Sequence, residues 1–259
     1  MAATKLSELL GQPRGKKALF MAHMIAGYPT IADSVNVAKA LVKGGADIIE
    51  VQIPFSDPMA DGPTIAVASE DALKKGATVE KALGVIKKVA ALGKPVVVMS
   101  YINPVYRYGI SKFIATIAKN GASGIIVPDC PFDTKEGWEL IASCQSAGIA
   151  LIPVVSPGVP QERLATLAKS GSGFWYCTSR QGITGATSMF SSVLPRFVNL
   201  LRNTSDLPVA VGFGVKSRAD VRKLSKFADI VIAGSVFVAE IRKHKSGIAS
   251  LSKTLQKLL

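Results

Sequence analysis

Short apolar runs rich in β-branched residues alternate with amphipathic stretches along the whole chain. The runs fall at residues 18–25, 47–53, 95–100, 124–128, 150–155, 173–178, 208–212 and 229–233. Between them lie helical patterns at 31–43, 79–92, 110–120, 135–147, 161–169, 191–202 and 217–227. In the second of these, Val79, Leu83, Ile86 and Ala90 recur at helical spacing, with Thr78 before and Gly93 after as end signals. The strand-like runs are almost continuously apolar, which fits parallel strands covered on both faces. Eight strands alternating with helices predict a closed (β/α)8 TIM barrel in the α/β class. An open doubly wound sheet usually carries a Gly-rich fingerprint after its first strand. Here that place holds Gly27-Tyr28-Pro29-Thr30, a turn leading to a helix cap. A short helix at 6–10 is predicted to cover the barrel floor. No linker, repeat or low-complexity run divides the chain, so 1–259 reads as one barrel domain.

One run breaks the apolar pattern. Residues 47–65 read DIIEVQIPFSDPMADGPTI, a strand that carries Glu50 and runs into a loop with Asp57 and Asp61. An unpaired carboxylate in an apolar strand is expensive to bury. In a barrel the active site lies at the C-terminal ends of the strands, which directs attention to this loop. The loop after the sixth run, 179–186, is long, polar and glycine-bearing, as a closing lid is. The seventh and eighth runs end in Gly212-Phe213-Gly214 and Gly234-Ser235. Glycines there let backbone N–H groups approach an anion, and a helix beginning at Ser235 aims its positive end at it. Read without reference to any family, Glu50 has a structural alternative as one half of an ion pair, and Asp57 and Asp61 as turn formers.

Composition narrows the class. The chain has 259 residues, 48% hydrophobic and 19% charged, with a net charge of +13. The basic residues are scattered over predicted helices, as at Lys74-Lys75 and Lys87-Lys88, without the aromatic interleaving of a nucleic-acid surface. Three separated cysteines, Cys130, Cys144 and Cys177, give no disulfide framework and point to a reducing compartment. The early apolar run is interrupted by His23 and is too short to span a membrane. The expectation is a cytoplasmic protein with no nucleic-acid or membrane partner. Metal-ligand spacing is absent from the sequence.

Six motifs, in order over nearly the whole chain, resemble the α subunit of tryptophan synthase. They are Pro54-Phe55-Ser56-Asp57-Pro58-Met59-Ala60-Asp61-Gly62-Pro63-Thr64-Ile65, Tyr101-x-Asn103-Pro104, Pro128-Asp129-x-Pro131, Tyr176-x-x-Ser179-Arg180-x-Gly182-x-Thr184-Gly185, Gly212-Phe213-Gly214-Val215 and Gly234-Ser235. The resemblance implies a (β/α)8 lyase that cleaves indole-3-glycerol phosphate to indole and glyceraldehyde 3-phosphate. It implies no cofactor in this chain, with pyridoxal phosphate expected only in a β partner, and an α2β2 heterotetramer. By resemblance, Glu50 is the general acid/base, Asp61 holds the indole N–H, and Tyr176 lies near the glycerol hydroxyls. Gly185, Gly214, Gly234 and Ser235 match the phosphate contacts. Arg180 and Thr184 belong to the lid, Thr184 bonding Asp61, and Asp57 serves closure and communication with the β subunit. In chemical terms, an apolar strand raises the pKa of a carboxylic acid and makes it a proton donor, while a second carboxylate in a polar loop stays ionised.

The chain departs from the family near the barrel mouth. Gln52 stands where the family usually has Gly, and His23 where it has Phe or Tyr. Residues alternate along a strand, so Gln52 is expected to point with Glu50, narrowing the pocket or bonding that acid. His23 is expected to face the site in a packing or hydrogen-bonding role. Three readings stay open: the lyase of an α/β complex; a stand-alone indole-releasing lyase or a paralogue acting on another phosphorylated substrate; and a catalytically weak regulatory subunit of a β partner.

Overall fold

The computed structural model describes residues 4–13, 18–178, 193–212, 214–243 and 247–259. Nine strand segments form one parallel sheet. They are β1 (Leu19–Ile25), β2 (Ile48–Gln52), β3 (Val96–Met99), β4 (Gly124–Ile126), β5 (Ala150–Leu151), β6 (Val154–Val155), β7 (Trp175–Thr178), β8 (Val209–Gly212) and β9 (Ile230–Ala233). The order is β5-β4-β3-β2-β1-β9-β8-β7-β6, so the first and last strands are neighbours. The ends of that order, β5 and β6, are two pieces of one stretch. The expected single strand at 150–155 is split at Ile152-Pro153, because proline has no N–H for the ladder. Pairing continues across the break: Ile152 N–H donates to Ile125 O and Tyr176 N–H to Pro153 O, each at 2.9 Å. The ring is therefore an eight-strand (β/α)8 barrel with one interrupted stave.

Strand alternation sorts the side chains into two layers. On β2, Ile49 and Val51 face the surrounding helices, in a core that also holds Phe20, Val98 and Trp175. Ile48 faces inward with Met21, Val97, Phe174, Ala210 and Ile230. Leu6 of the helix Lys5–Gly11 joins that inner cluster and is 1% exposed, with Leu9 and Leu10 packed beside it. This is the floor plug predicted at 6–10. Acids at the strand starts tie staves together: Asp47 accepts from Phe20 N–H at 2.9 Å and Asp229 from Val209 N–H at 2.8 Å.

The helices add four elements to those predicted. Pro63–Lys74 is a helix, not the tail of a loop. Gly62 precedes it, Pro63 occupies its first turn, and Ile65, Ala68, Ser69 and Ala72 are its buried face. Ile102–Tyr108, Ser235–Lys243 and Gly247–Leu258 are the others, of which Ser235–Lys243 was predicted only by its start. Among the described residues no helix is long and apolar enough to cross a membrane.

Candidate active site

Glu50 and Gln52 lie on β2 in the same alternation as inward-facing Ile48, so both project into the barrel nearer its C-terminal end. His23 pairs with Glu50 across the β1–β2 ladder, and Ile25 with Gln52. Tyr176 follows inward-facing Phe174 on β7 in the same way. The lower barrel interior is thus apolar, while its upper layer is polar. A cavity of about 390 Å³ opens over that layer. His23, Glu50, Asp61 and Tyr176 line one part of it. Met99, Ile126, Val154 and Ile232 give apolar walls, and Gly214, Lys216, Gly234 and Ser235 lie at the strand ends beyond.

The acids after β2 have three different surroundings. Glu50 is 2% exposed, and its Oε1 lies 3.3 Å from His23 Nδ1. Asp61 is partly buried. Its Oδ2 accepts from Gln52 Nε2 at 2.6 Å, and the Tyr101 hydroxyl also hydrogen-bonds it. Asp57 faces solvent, takes a hydrogen bond from the Ser56 hydroxyl and does not line the cavity.

Electrostatics separates the groups further. Burial pushes the Asp61 carboxyl above its ordinary range, against the opposing effects of His23, Gln52 and Tyr101. The expectation of an acid simply kept ionised by a polar loop is therefore corrected: desolvation leads. For His23, burial alone lowers the pKa, but the Glu50 carboxylate and then Asp61 more than offset it and hold the imidazole above its usual value. Burial, followed by Glu50 and Asp61, raises the Tyr176 phenol well above its usual value, so it remains a neutral donor.

The loop that delivers Asp61 is held from below. Tyr101 is fully buried, and its hydroxyl accepts from Ala60 N–H at 3.0 Å. Its ring lies 5.2 Å from that of Phe55. After β9, Gly234 precedes the helix Ser235–Lys243 and its carbonyl accepts from the N–H groups of Phe237 and Val238 at 2.9 and 3.2 Å, while those of Ser235 and Val236 have no acceptor within the helix. A Cβ on Gly234 would lie 2.9 Å from the His23 Cβ and Cδ2, so only glycine lets the chain pass this close to the imidazole.

The structure thus brings together Glu50, Asp61, Tyr176, Gly214, Gly234 and Ser235 around one cavity. Arg180, Thr184 and Gly185 lie outside the described residues. Gln52 behaves differently from expectation. It is fully buried, does not line the cavity, and bonds Asp61, not Glu50. Sequence reasoning missed the His23–Glu50 contact, although two inward polar residues on neighbouring parallel strands were its signal. It also missed Lys216, a cation at the glycine-rich end, two residues beyond Gly214.

Chemically, the cavity offers one buried and one half-buried carboxyl group and a phenol beside apolar walls, together with glycine-bearing strand ends and a lysine. That suits an apolar ring joined to an anionic tail. Comparisons with known proteins place the chain in a family. The family profile described as tryptophan synthase alpha chain matches residues 11–258. The tryptophan synthase alpha chain of Syntrophotalea carbinolica is 40% identical over 236 residues, covering 91% of each chain. That of Methanosarcina mazei is 42% identical over 243 residues, covering 92% of this chain and 87% of its own. Among solved structures, a Mycobacterium tuberculosis tryptophan synthase superposes with a TM-score of 0.89 at 37% identity, over 99% of this chain and 97% of that one. A mutant α subunit from Pyrococcus furiosus gives 0.85 at 31% identity, over 95% and 99%. With a profile match over nearly its whole length and a shared fold, the chain belongs to the tryptophan synthase alpha chain family.

Proposed function

We infer that this chain, as a tryptophan synthase alpha chain, is the lyase that cleaves indole-3-glycerol phosphate to indole and glyceraldehyde 3-phosphate, with Glu50 as its general acid/base. The observation that carries the residue assignment is that one cavity is lined both by Glu50, Asp61 and Tyr176 and by Gly214, Gly234 and Ser235.

The reaction needs a proton on the indole carbon that bears the side chain. Protonation there gives a cationic ring and makes that carbon a leaving group. Glu50, in its acid form, donates that proton. Asp61 faces the ring nitrogen, accepts its N–H and stabilises the positive charge. As the C–C bond breaks, its electron pair returns to the ring. The adjacent side-chain hydroxyl loses its proton and its carbon becomes the aldehyde. The Glu50 carboxylate takes that proton, so one goes in and one comes out. Tyr176, held as a neutral phenol, donates to the side-chain hydroxyls. The phosphate lies against Gly214, Gly234, Ser235 and, in this chain, Lys216, and its binding holds the ring against the acids. Gly185 completes the phosphate contacts. Arg180 and Thr184 serve as lid residues, and Asp57 serves loop closure.

The residue set calls for no cofactor in this chain. Pyridoxal phosphate belongs to a β subunit that receives the indole within an α2β2 assembly, in the cytoplasm, and residues 1–259 act as one domain. Family membership supports the β partner. The test is indole release by the purified chain supplied with indole-3-glycerol phosphate, with and without a β subunit. Release in either case supports the lyase, and stronger release with the β subunit supports the partnership. Tight β binding without any indole would instead make the chain a regulatory subunit.

A further inference from the structure

Three buried polar atoms have no hydrogen-bond partner among the described residues: His23 Nε2, Glu50 Oε2 and Gln52 Oε1. They belong to adjacent strands and to side chains that are each tied at one end. His23 Nδ1 is 3.3 Å from Glu50 Oε1, and Gln52 Nε2 is 2.6 Å from Asp61 Oδ2. A buried polar atom left without a partner destabilises the fold. Three in one layer do not serve stability; two of them, His23 Nε2 and Glu50 Oε2, belong to residues that line the cavity and fit a site whose hydrogen bonds are completed by its ligand.

We propose that His23 is a positioning residue for Glu50: its Nδ1–H holds Oε1, so that Oε2 is the oxygen that carries the reacting proton. This deepens the reading of Glu50 as the acid/base and rests on it. The two oxygens of a free carboxyl group exchange places by rotation about a soft terminal torsion. A donor fixed on Oε1 removes that freedom. It works in both protonation states, because Oε1 accepts from Nδ1–H whether or not Oε2 carries a proton. The carboxyl group therefore gives one proton and takes back another without reorienting, which is what preorganisation requires. The imidazole is itself fixed, since its ring carbons lie against the Gly234 backbone. Gln52 plays the matching part for Asp61 by holding Oδ2.

The test is steady-state cleavage of indole-3-glycerol phosphate by His23→Phe, His23→Asn and His23→Gln. Phenylalanine fills the space without a donor. Its kcat is expected to fall about ten- to hundredfold, with KM within about twofold. The asparagine amide nitrogen reaches the place of Nδ1, and kcat is expected to return to within about threefold of the parent. The glutamine nitrogen falls nearer Nε2, and kcat is expected to stay low. A His23→Phe enzyme at the parent kcat, or an asparagine variant as slow as the glutamine one, overturns the proposal. Where His23→Phe does not fold, the Asn/Gln comparison decides alone. Glu50→Gln in the same assay separates the two layers of inference. Parent-like turnover by Glu50→Gln means the reading of Glu50 has failed, whereas an inactive Glu50→Gln beside fully active His23 variants means that only the His23 proposal has failed.

Discussion

Three acids within twelve residues of one another meet three environments, and environment more than residue type sets them apart. Glu50 is buried on a strand against an imidazole, Asp61 is half-buried under a glutamine and a tyrosine, and Asp57 faces solvent. Asp61 leads to a stability prediction. Its carboxyl group holds its proton more tightly in the folded state than in the unfolded one, because burial raises the folded pKa above 3.8. Its contribution to stability is therefore present below about pH 3.8 and is lost as pH rises through the folded value. Asp61→Asn removes that loss and keeps an oxygen for Gln52. The variant is expected to gain stability over the parent progressively as pH rises from about 4 through the folded pKa, measured by denaturant midpoints, while losing cleavage activity. A gap that narrows as pH rises contradicts the shift assigned to Asp61. Sequence alone located all three acids but not their surroundings. The partners of Asp61 are Gln52, nine residues away, and Tyr101 on another element, and its desolvation depends on how the loop folds back.

At the scale of elements, the strands were legible and the loop supports were not. Every strand segment lies within one of the eight apolar runs, because buried parallel strands have a distinctive composition. The split at Pro153 was foreseeable from the missing N–H. The helix Pro63–Lys74 was not foreseen, because its lead-in of Pro, Asp and Gly reads as turn chemistry that hides the buried positions Ile65, Ala68, Ser69 and Ala72. The loop between β2 and this helix hangs on Tyr101, whose hydroxyl accepts from Ala60 N–H and bonds Asp61. Tyr101→Phe keeps the ring packed on Phe55 but removes both bonds. It is expected to lower kcat/KM about tenfold or more and global stability by about 1 kcal/mol. Unchanged kcat/KM for this variant means that the loop holds Asp61 without help from below.

Across the whole molecule, the barrel explains why residues far apart in sequence share one cavity. Closure between β1 and β9 sets His23 beside Gly234, and the β1–β2 register sets it beside Glu50. Alternation then makes the lower interior a packed apolar plug, sealed by Leu6, and the upper interior a polar floor. The fold, and the gathering of Glu50, Asp61 and the glycine-bearing strand ends around one cavity, followed from pattern and barrel geometry, whereas the specific pairs followed only from register and packing. The central claim is that Glu50 moves the protons of the cleavage. Its most direct test is single-turnover cleavage of indole-3-glycerol phosphate by Glu50→Gln, alongside binding of an unreactive indole-phosphate analogue. The rate is expected to fall about a hundred- to ten-thousandfold, with analogue binding within about twofold of the parent. Cleavage at the parent rate contradicts it.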